Sequence, residues 1–344
     1  MGNELAAQVV RWQARHGRNH LPWQNTRDPY RVWLSEIMLQ QTQVATVLDY
    51  FPRFLNNFPD IRSLAGAHLD EVLALWSGLG YYSRARNLHA CAVQVVQQHG
   101  GEFPATAQQL QTLPGIGRST AAAIASICFG ERVAILDGNV RRVLTRVLGF
   151  GRDLSQAAHE RALWELATGL LPSRDLQRAM PRYTQGLMDL GATVCQLRKP
   201  ACEACPLAHA CVAHREQAIE KYPLKSRKLK RSAQSLWLLW AQTRDGAVWL
   251  SQRPAPGVWA GLYCLELHDS REALEAVVPA RYRAQLQDAA TVKHVLTHKD
   301  LYLHPVRVRL PAGAIKRAGG AWFAAEQWPG LGLPAPVRKL LALG

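Results

Sequence analysis

Four of the seven cysteines, Cys195, Cys202, Cys205 and Cys211, fall within one short stretch in the spacing C-x6-C-x2-C-x5-C. Structural zinc sites usually present two close cysteine pairs, whereas this run has one. An iron-sulfur cluster, with one thiolate for each iron of a [4Fe-4S] cube, is therefore the favoured reading, and zinc is the alternative. Pro200 and Pro206 would stiffen such a loop without requiring backbone donors. Cys91, Cys128 and Cys264 are scattered, as packed thiols would be.

Two carboxylates could carry acid-base chemistry. Asp137 ends the apolar run Val133-Ala134-Ile135-Leu136 and precedes Gly138-Asn139-Val140-Arg141-Arg142, where it would cap a basic helix. A capping acid accepts amide hydrogen bonds and faces the positive end of the helix dipole, so it is expected to stay ionised at neutral pH. Glu36 lies one helical turn beyond Val32 and Trp33. Desolvation there would raise its pKa and make it a proton donor, and two carboxylates driven apart in pKa divide acid work from anion work. Capping could be all that Asp137 does, and Glu36 could be an ordinary exposed helix acid.

Between these two lies Leu113-Pro114-Gly115-Ile116-Gly117-Arg118-Ser119, flanked by a helical pattern over 108–113 and an Ala-rich one over 119–129. Two glycines let a backbone approach a phosphate closely, and the amides opening the second helix point outward with a favourable dipole. A Gly-x-Gly turn alone is often only a turn. Here the chain carries 41 Lys and Arg against 26 Asp and Glu, a net charge of +15, which favours a polyanionic partner.

These residues need a scaffold, and 344 residues suffice for two cores. Apolar spacing is helical from Leu5 to about Cys211, with turns at Leu21-Pro22, Asp28-Pro29, Phe58-Pro59, Gly78-Leu79-Gly80 and Gly100-Gly101. Residues 213–234 are basic, with Lys221, Lys225, Arg227, Lys228, Lys230 and Arg231, and suit an exposed linker. Short apolar runs then alternate with turns: 236–242, 247–253, 262–267 and 301–310 predict strands, with helices over 270–278 and 337–343. The expected fold is multidomain, an all-α domain over 1–212 followed by an α+β domain over 235–344. No segment reads as a targeting peptide or a membrane span, which leads to the expectation of a soluble, cytoplasmic protein without a membrane partner.

Taken together, the 113–118 hairpin, the Asp137 segment and the cysteine loop over 195–211 resemble the helix-hairpin-helix base-excision glycosylases that share an iron-sulfur loop with endonuclease III. Ser35-Glu36-Ile37-Met38-Leu39-Gln40-Gln41-Thr42-Gln43-Val44 and Gly78-Leu79-Gly80-Tyr81-Tyr82-Ser83-Arg84 look like the branch that removes adenine. The resemblance implies a monomeric enzyme on double-stranded DNA containing A:8-oxoguanine or A:G mispairs. Glu36 would protonate the departing adenine at N7, Asp137 would stabilise the cationic sugar by charge or by a transient adduct, and Asn139 would support the site. Gly115, Gly117, Arg118 and Ser119 would contact DNA, and Gln41 and Tyr81 would wedge beside the flipped base. Tyr81 and Tyr82 could instead pack between helices.

Bifunctional relatives place a Lys where this chain has Ser119, so the resemblance implies a monofunctional glycosylase. The rival readings are a glycosylase-lyase for oxidised pyrimidines and a cluster-bearing DNA sensor without cutting activity; Ser119 argues against the first, Glu36 and Asp137 against the second. The second domain resembles the Nudix fold, with an incomplete metal box: Arg271, Glu272 and Glu275 fit, whereas Tyr263 and Ala276 replace acids. Where the family reads 8-oxoguanine with Phe-Ser-His, this chain has Leu296-Thr297-His298, so Thr297 and His298 are the expected recognition residues.

Overall fold

The computed structural model describes residues 2–226 and 230–343, which divide into two compact units. One comprises Met1–Ala65 with Asn87–Lys228, the other Gly66–Arg86 with Leu229–Gly344. Arg227 and Lys228, part of the expected linker, lie outside the described residues.

The first unit is helical. Its central helix, Leu176–Thr193, packs on Gly2–His16, Arg118–Phe129 and Gly138–Leu148. Small residues allow the close crossings: a Cβ on Gly186 would stand 2.8 Å from Val9, and one on Gly191 would stand 2.7 Å from Asn139. Pro181 lies inside this helix and cannot donate to the carbonyl one turn back. The Arg27 guanidinium donates to that Gln177 carbonyl instead, at 2.6 Å. Trp33, Leu34, Met38, Phe51 and Phe54 are fully buried at the centre of this unit. Cys91 and Cys128 are buried thiols as well.

The basic stretch after the cysteines differs from the exposed linker expected. Val212–Arg215 is a helical turn and Ile219–Lys221 a 3-10 turn. The Tyr222 carbonyl accepts from Arg146 Nε, the Leu224 carbonyl accepts from the Leu154 amide, and Ser226 bonds Asp153. The Tyr222 and Leu224 carbonyls thus tie this stretch to the helical body.

The second unit is built on a mixed sheet. Its strands are β1 Ser232–Gln242, β2 Val248–Gln252, β3 Tyr263–Cys264, β4 Glu266–His268, β5 Gln287–Asp288, β6 Val292–Val295, β7 Lys299–Arg309 and β8 Gly320–Phe323. β1 and β2 form the expected hairpin, and β1 pairs in parallel with β7 along its full length, from Ser232 opposite Lys299 to Gln242 opposite Arg309. Leu239, Ala241, Trp249, Val306 and Val308 form one core with Leu274 and Val278 of the helical segment that Ser270 caps. Among the described residues, no helix is long and apolar enough to cross a membrane.

Candidate active site

Asp28 opens the Pro29–Met38 helix by accepting the Tyr30 amide at 2.9 Å, with Pro29 in the first turn, where its missing N–H costs nothing. Val32, Trp33, Ile37 and Met38 bury the apolar face of this helix, and Glu36 opens into a cleft. Opposite, the Asp137 carboxylate accepts the Val140 amide at 2.7 Å and caps Gly138–Leu148. The cleft, about 790 Å³, is formed within the first unit and brings together Glu36, Gln41, Ser119, Asp137 and Asn139. Ser119 Oγ accepts the Leu136 amide at 2.9 Å and so fixes the approach to Asp137. Gln41 is exposed and held at a φ of 56°, a conformation unusual for a side chain other than glycine.

Burial pushes the Glu36 carboxyl up from 4.5 to about 7, and the neighbouring Asp137 charge adds to the effect. A pKa near neutrality leaves a substantial fraction of this carboxyl protonated at neutral pH, which is the range that suits a general acid. Asp137 also feels its burial. Burial raises its pKa, although the Val140 and Asn139 amides, Arg142 and Arg141 pull the other way. Desolvation is the larger effect because the carboxylate sits deep in the cleft wall.

Two residues that the sequence reading missed organise this wall. Asp189, fully buried, accepts Arg18 Nε at 2.7 Å, the Arg18 amide at 3.0 Å and Gln24 Nε2 at 3.0 Å. Gln185 Nε2 reaches the same carboxylate at 3.3 Å. Arg142 donates to Asn139 Oδ1 at 2.8 Å, to the Gly191 carbonyl at 2.6 Å and to the Cys195 carbonyl at 2.8 Å. It ties the Asp137-Asn139 turn to the start of the cysteine loop. Arg142→Gln is expected to lower base excision about 10- to 100-fold while the protein still folds, because three acceptors lose a charged donor. Single-turnover rates with circular dichroism would check this.

Cys195, Cys202, Cys205 and Cys211 line one small apolar cavity with Val143, Val147 and Ala213. Arg146 fastens its rim, donating to the Gln196 and Leu197 carbonyls and lying 3.4 Å from Cys195 Sγ. Among the described residues, no three His, Cys, Asp or Glu side chains converge as ligands of a single metal ion. Four thiolates around one cavity are the donor set that a [4Fe-4S] cube would take, one for each iron.

Gly115 has a φ of 76°, and a Cβ there would lie 2.7 Å from Asn87 Cβ. Gly117 has open space around it and caps Arg118–Phe129 without a side chain, which leaves the helix amides accessible. Leu113 and Ile116 anchor the hairpin in the core, and Arg118 lies 3.9 Å over the Trp164 ring. Gly115→Ala is expected to cost about 1–2 kcal/mol, from the left-handed backbone and the contact with Asn87. A shifted denaturation midpoint at unchanged slope would show it.

Tyr81, Thr297 and His298 lie in the second unit, where they line a cleft of about 640 Å³ with Trp259 and Leu296. The Tyr81 and Thr297 hydroxyls are hydrogen-bonded, and Tyr81 is 43% exposed, whereas Tyr82 is buried. Of the two tyrosines, therefore, only Tyr82 packs. The incomplete metal box is replaced by other contacts. Tyr263 packs edge-on against Phe323, and Glu275 pairs with Arg271, which also pairs with Asp288.

Fold and cleft together define a base-excision DNA glycosylase carrying a Nudix-like domain. Residues 34–168 match the HhH-GPD superfamily of base excision DNA repair proteins, and residues 237–343 match the NUDIX domain. The chain belongs to the adenine DNA glycosylase family, enzymes that hydrolyse N-glycosyl bonds. It is 36% identical over 340 residues to the adenine DNA glycosylase of Buchnera aphidicola subsp. Acyrthosiphon pisum (strain APS), covering 97% of this chain and 95% of that one. With the Homo sapiens adenine DNA glycosylase it shares 44% identity over 226 residues, covering 63% of this chain and 40% of that protein. Among solved structures, a thermostable thymine-DNA glycosylase is 28% identical with a TM-score of 0.54, over 62% of this chain and 96% of that one. An endonuclease III–DNA complex, 21% identical with a TM-score of 0.51 over 62% and 95% of the two chains, shares the fold.

Proposed function

We propose that this chain is a monofunctional glycosylase that excises adenine opposite 8-oxoguanine or guanine in duplex DNA. The observation that carries this reading is the shared cleft, with an acid near pKa 7 facing a capped aspartate. Adenine is a poor leaving group until protonated. Glu36 donates that proton at N7, and Asp137, held by amides and Arg142, stabilises the positive charge left on the sugar. Asn139, oriented by Arg142, supports Asp137. Water then completes hydrolysis, since Ser119, bound to the Leu136 amide, supplies no amine for a Schiff base.

Residues 1–212 form the glycosylase domain in this reading, and residues 235–344 the domain that reads 8-oxoguanine through Thr297 and His298. Gln41 and Tyr81 fill the space left by the flipped base, and Gly115, Gly117, Arg118 and Ser119 grip the backbone. The four cysteines hold a [4Fe-4S] cluster whose contribution is structural. The protein works as an intracellular, DNA-associated monomer. Alkali-dependent cleavage across a panel of mispairs tests the assignment. Cleavage at adenine opposite 8-oxoguanine and guanine is expected, and cleavage confined to oxidised pyrimidines would overturn it.

A further inference from the structure

Outside the catalytic cleft, the exposed faces of Gly2–His16 and Leu176–Thr193 enclose a groove of about 370 Å³. Arg11, Arg15, Arg178 and Arg182 line it over a floor that includes Val10 and Ala179, and Asp175 is the one acid there. None of the four guanidinium groups makes an ion pair or hydrogen bond among the described residues. Arg11 and Arg15, like Arg178 and Arg182, stand four residues apart on one helix, where like charges repel. Such a concentration of unneutralised guanidinium groups is costly in the free protein and is relieved by a bound anion.

The groove runs on toward the catalytic cleft. Arg178 and Arg182 also line a neighbouring depression that includes Gln185, and Gln185 lines the cleft. Residues 178, 182 and 185 share one helix face, so the path from Arg178 to the cleft wall is about 10 Å at 1.5 Å per residue, about three phosphate steps along one strand at 3.4 Å each. We infer that this arginine groove is a second phosphate-binding surface, which holds the sugar-phosphate backbone of DNA beyond the segment in the cleft. The inference rests on the glycosylase reading for the identity of the polyanion. Its effect is on residence along DNA and leaves the chemistry alone.

The test compares the wild type with Arg11→Gln/Arg15→Gln/Arg178→Gln on two duplexes, one only long enough to fill the catalytic cleft and one several times longer. Circular dichroism establishes that the variant is folded. On the long duplex the variant is expected to bind about tenfold more weakly at moderate salt, with the slope of log K against log salt reduced by about 2–3. Binding to the short duplex and the single-turnover rate at saturating enzyme should be unchanged. Equal affinity and equal salt slope on the long duplex would overturn the proposal. So would weakened binding of a polyglutamate peptide with DNA binding intact, which would assign the groove to an acidic protein. Failure of the wild type to release adenine would reject the functional reading and leave the long-duplex comparison to be judged separately.

Discussion

Glu36→Gln is expected to lower adenine excision by on the order of 10³-fold with little change in DNA affinity, because the variant keeps the shape of the acid and loses its proton. The same group sets the pH dependence. With its pKa raised to about 7, Glu36 is protonated below that value, so the wild-type single-turnover rate should fall as pH rises through about 7. Stability follows the same sign. A carboxyl whose folded pKa lies above its ordinary 4.5 favours the folded state at low pH, and that contribution is lost as pH rises through about 7. Above neutrality Glu36→Gln should therefore be the more stable protein, by on the order of 2 kcal/mol. Thermal melts at pH 5 and pH 8 would check this: a variant less stable than the wild type at pH 8 would contradict the burial argument.

Cys202→Ser is the second change expected to have a large effect. The loop over 195–211 has little regular structure of its own, with only two 3-10 turns, Cys202–Ala204 and Ala208–Ala210. Arg146 and Arg142 grip its beginning, and the segment after Cys211 returns to Arg146 and Leu154. Without Cys202 the proposed cluster should be lost, and with it a binding energy that would be part of the folding energy of this region. Visible absorbance should disappear, limited proteolysis should open residues 195–226, and excision should fall because Arg142 loses its fixed acceptor at Cys195. A variant without the cluster that cleaved DNA normally would show that the loop is ordered by the protein alone.

Much of the site was legible because it depends on local chemistry. The Asp137 cap, the Gly115-Ile116-Gly117 hairpin and the cysteine spacing are each set by residues close in sequence, and each shape follows from backbone geometry. Asp189 and Arg142 were not legible. Asp189 reads as one more acid in a helix, and its partners Arg18 and Gln24 are distant in sequence. Arg142 sits in a basic run that could as well be solvated. For Asp137 the cap is visible in sequence, but the burial that raises its pKa against the capping amides is not.

The second unit shows the same division. The β1–β2 hairpin was read from its turn, whereas the parallel pairing of β1 with β7 joins strands nearly seventy residues apart, with no local signal. The segment Gly66–Arg86 reads as part of a helical domain but clusters with the C-terminal unit, where Tyr82 and Ser77 bond the Leu333 carbonyl. Residues 212–226 looked like linker because they are polar; their backbone partners on the helical body could not be anticipated from composition.

The central claim is that the Glu36–Asp137 cleft releases adenine by hydrolysis without breaking the strand. Its most direct test is single-turnover incubation with a duplex bearing adenine opposite 8-oxoguanine, with free adenine and strand breaks measured before and after alkali, and borohydride added in parallel. Stoichiometric free adenine, an intact strand until alkali and no trapped covalent complex are predicted. Strand breaks without alkali together with efficient borohydride trapping, or no adenine release at all, would contradict it.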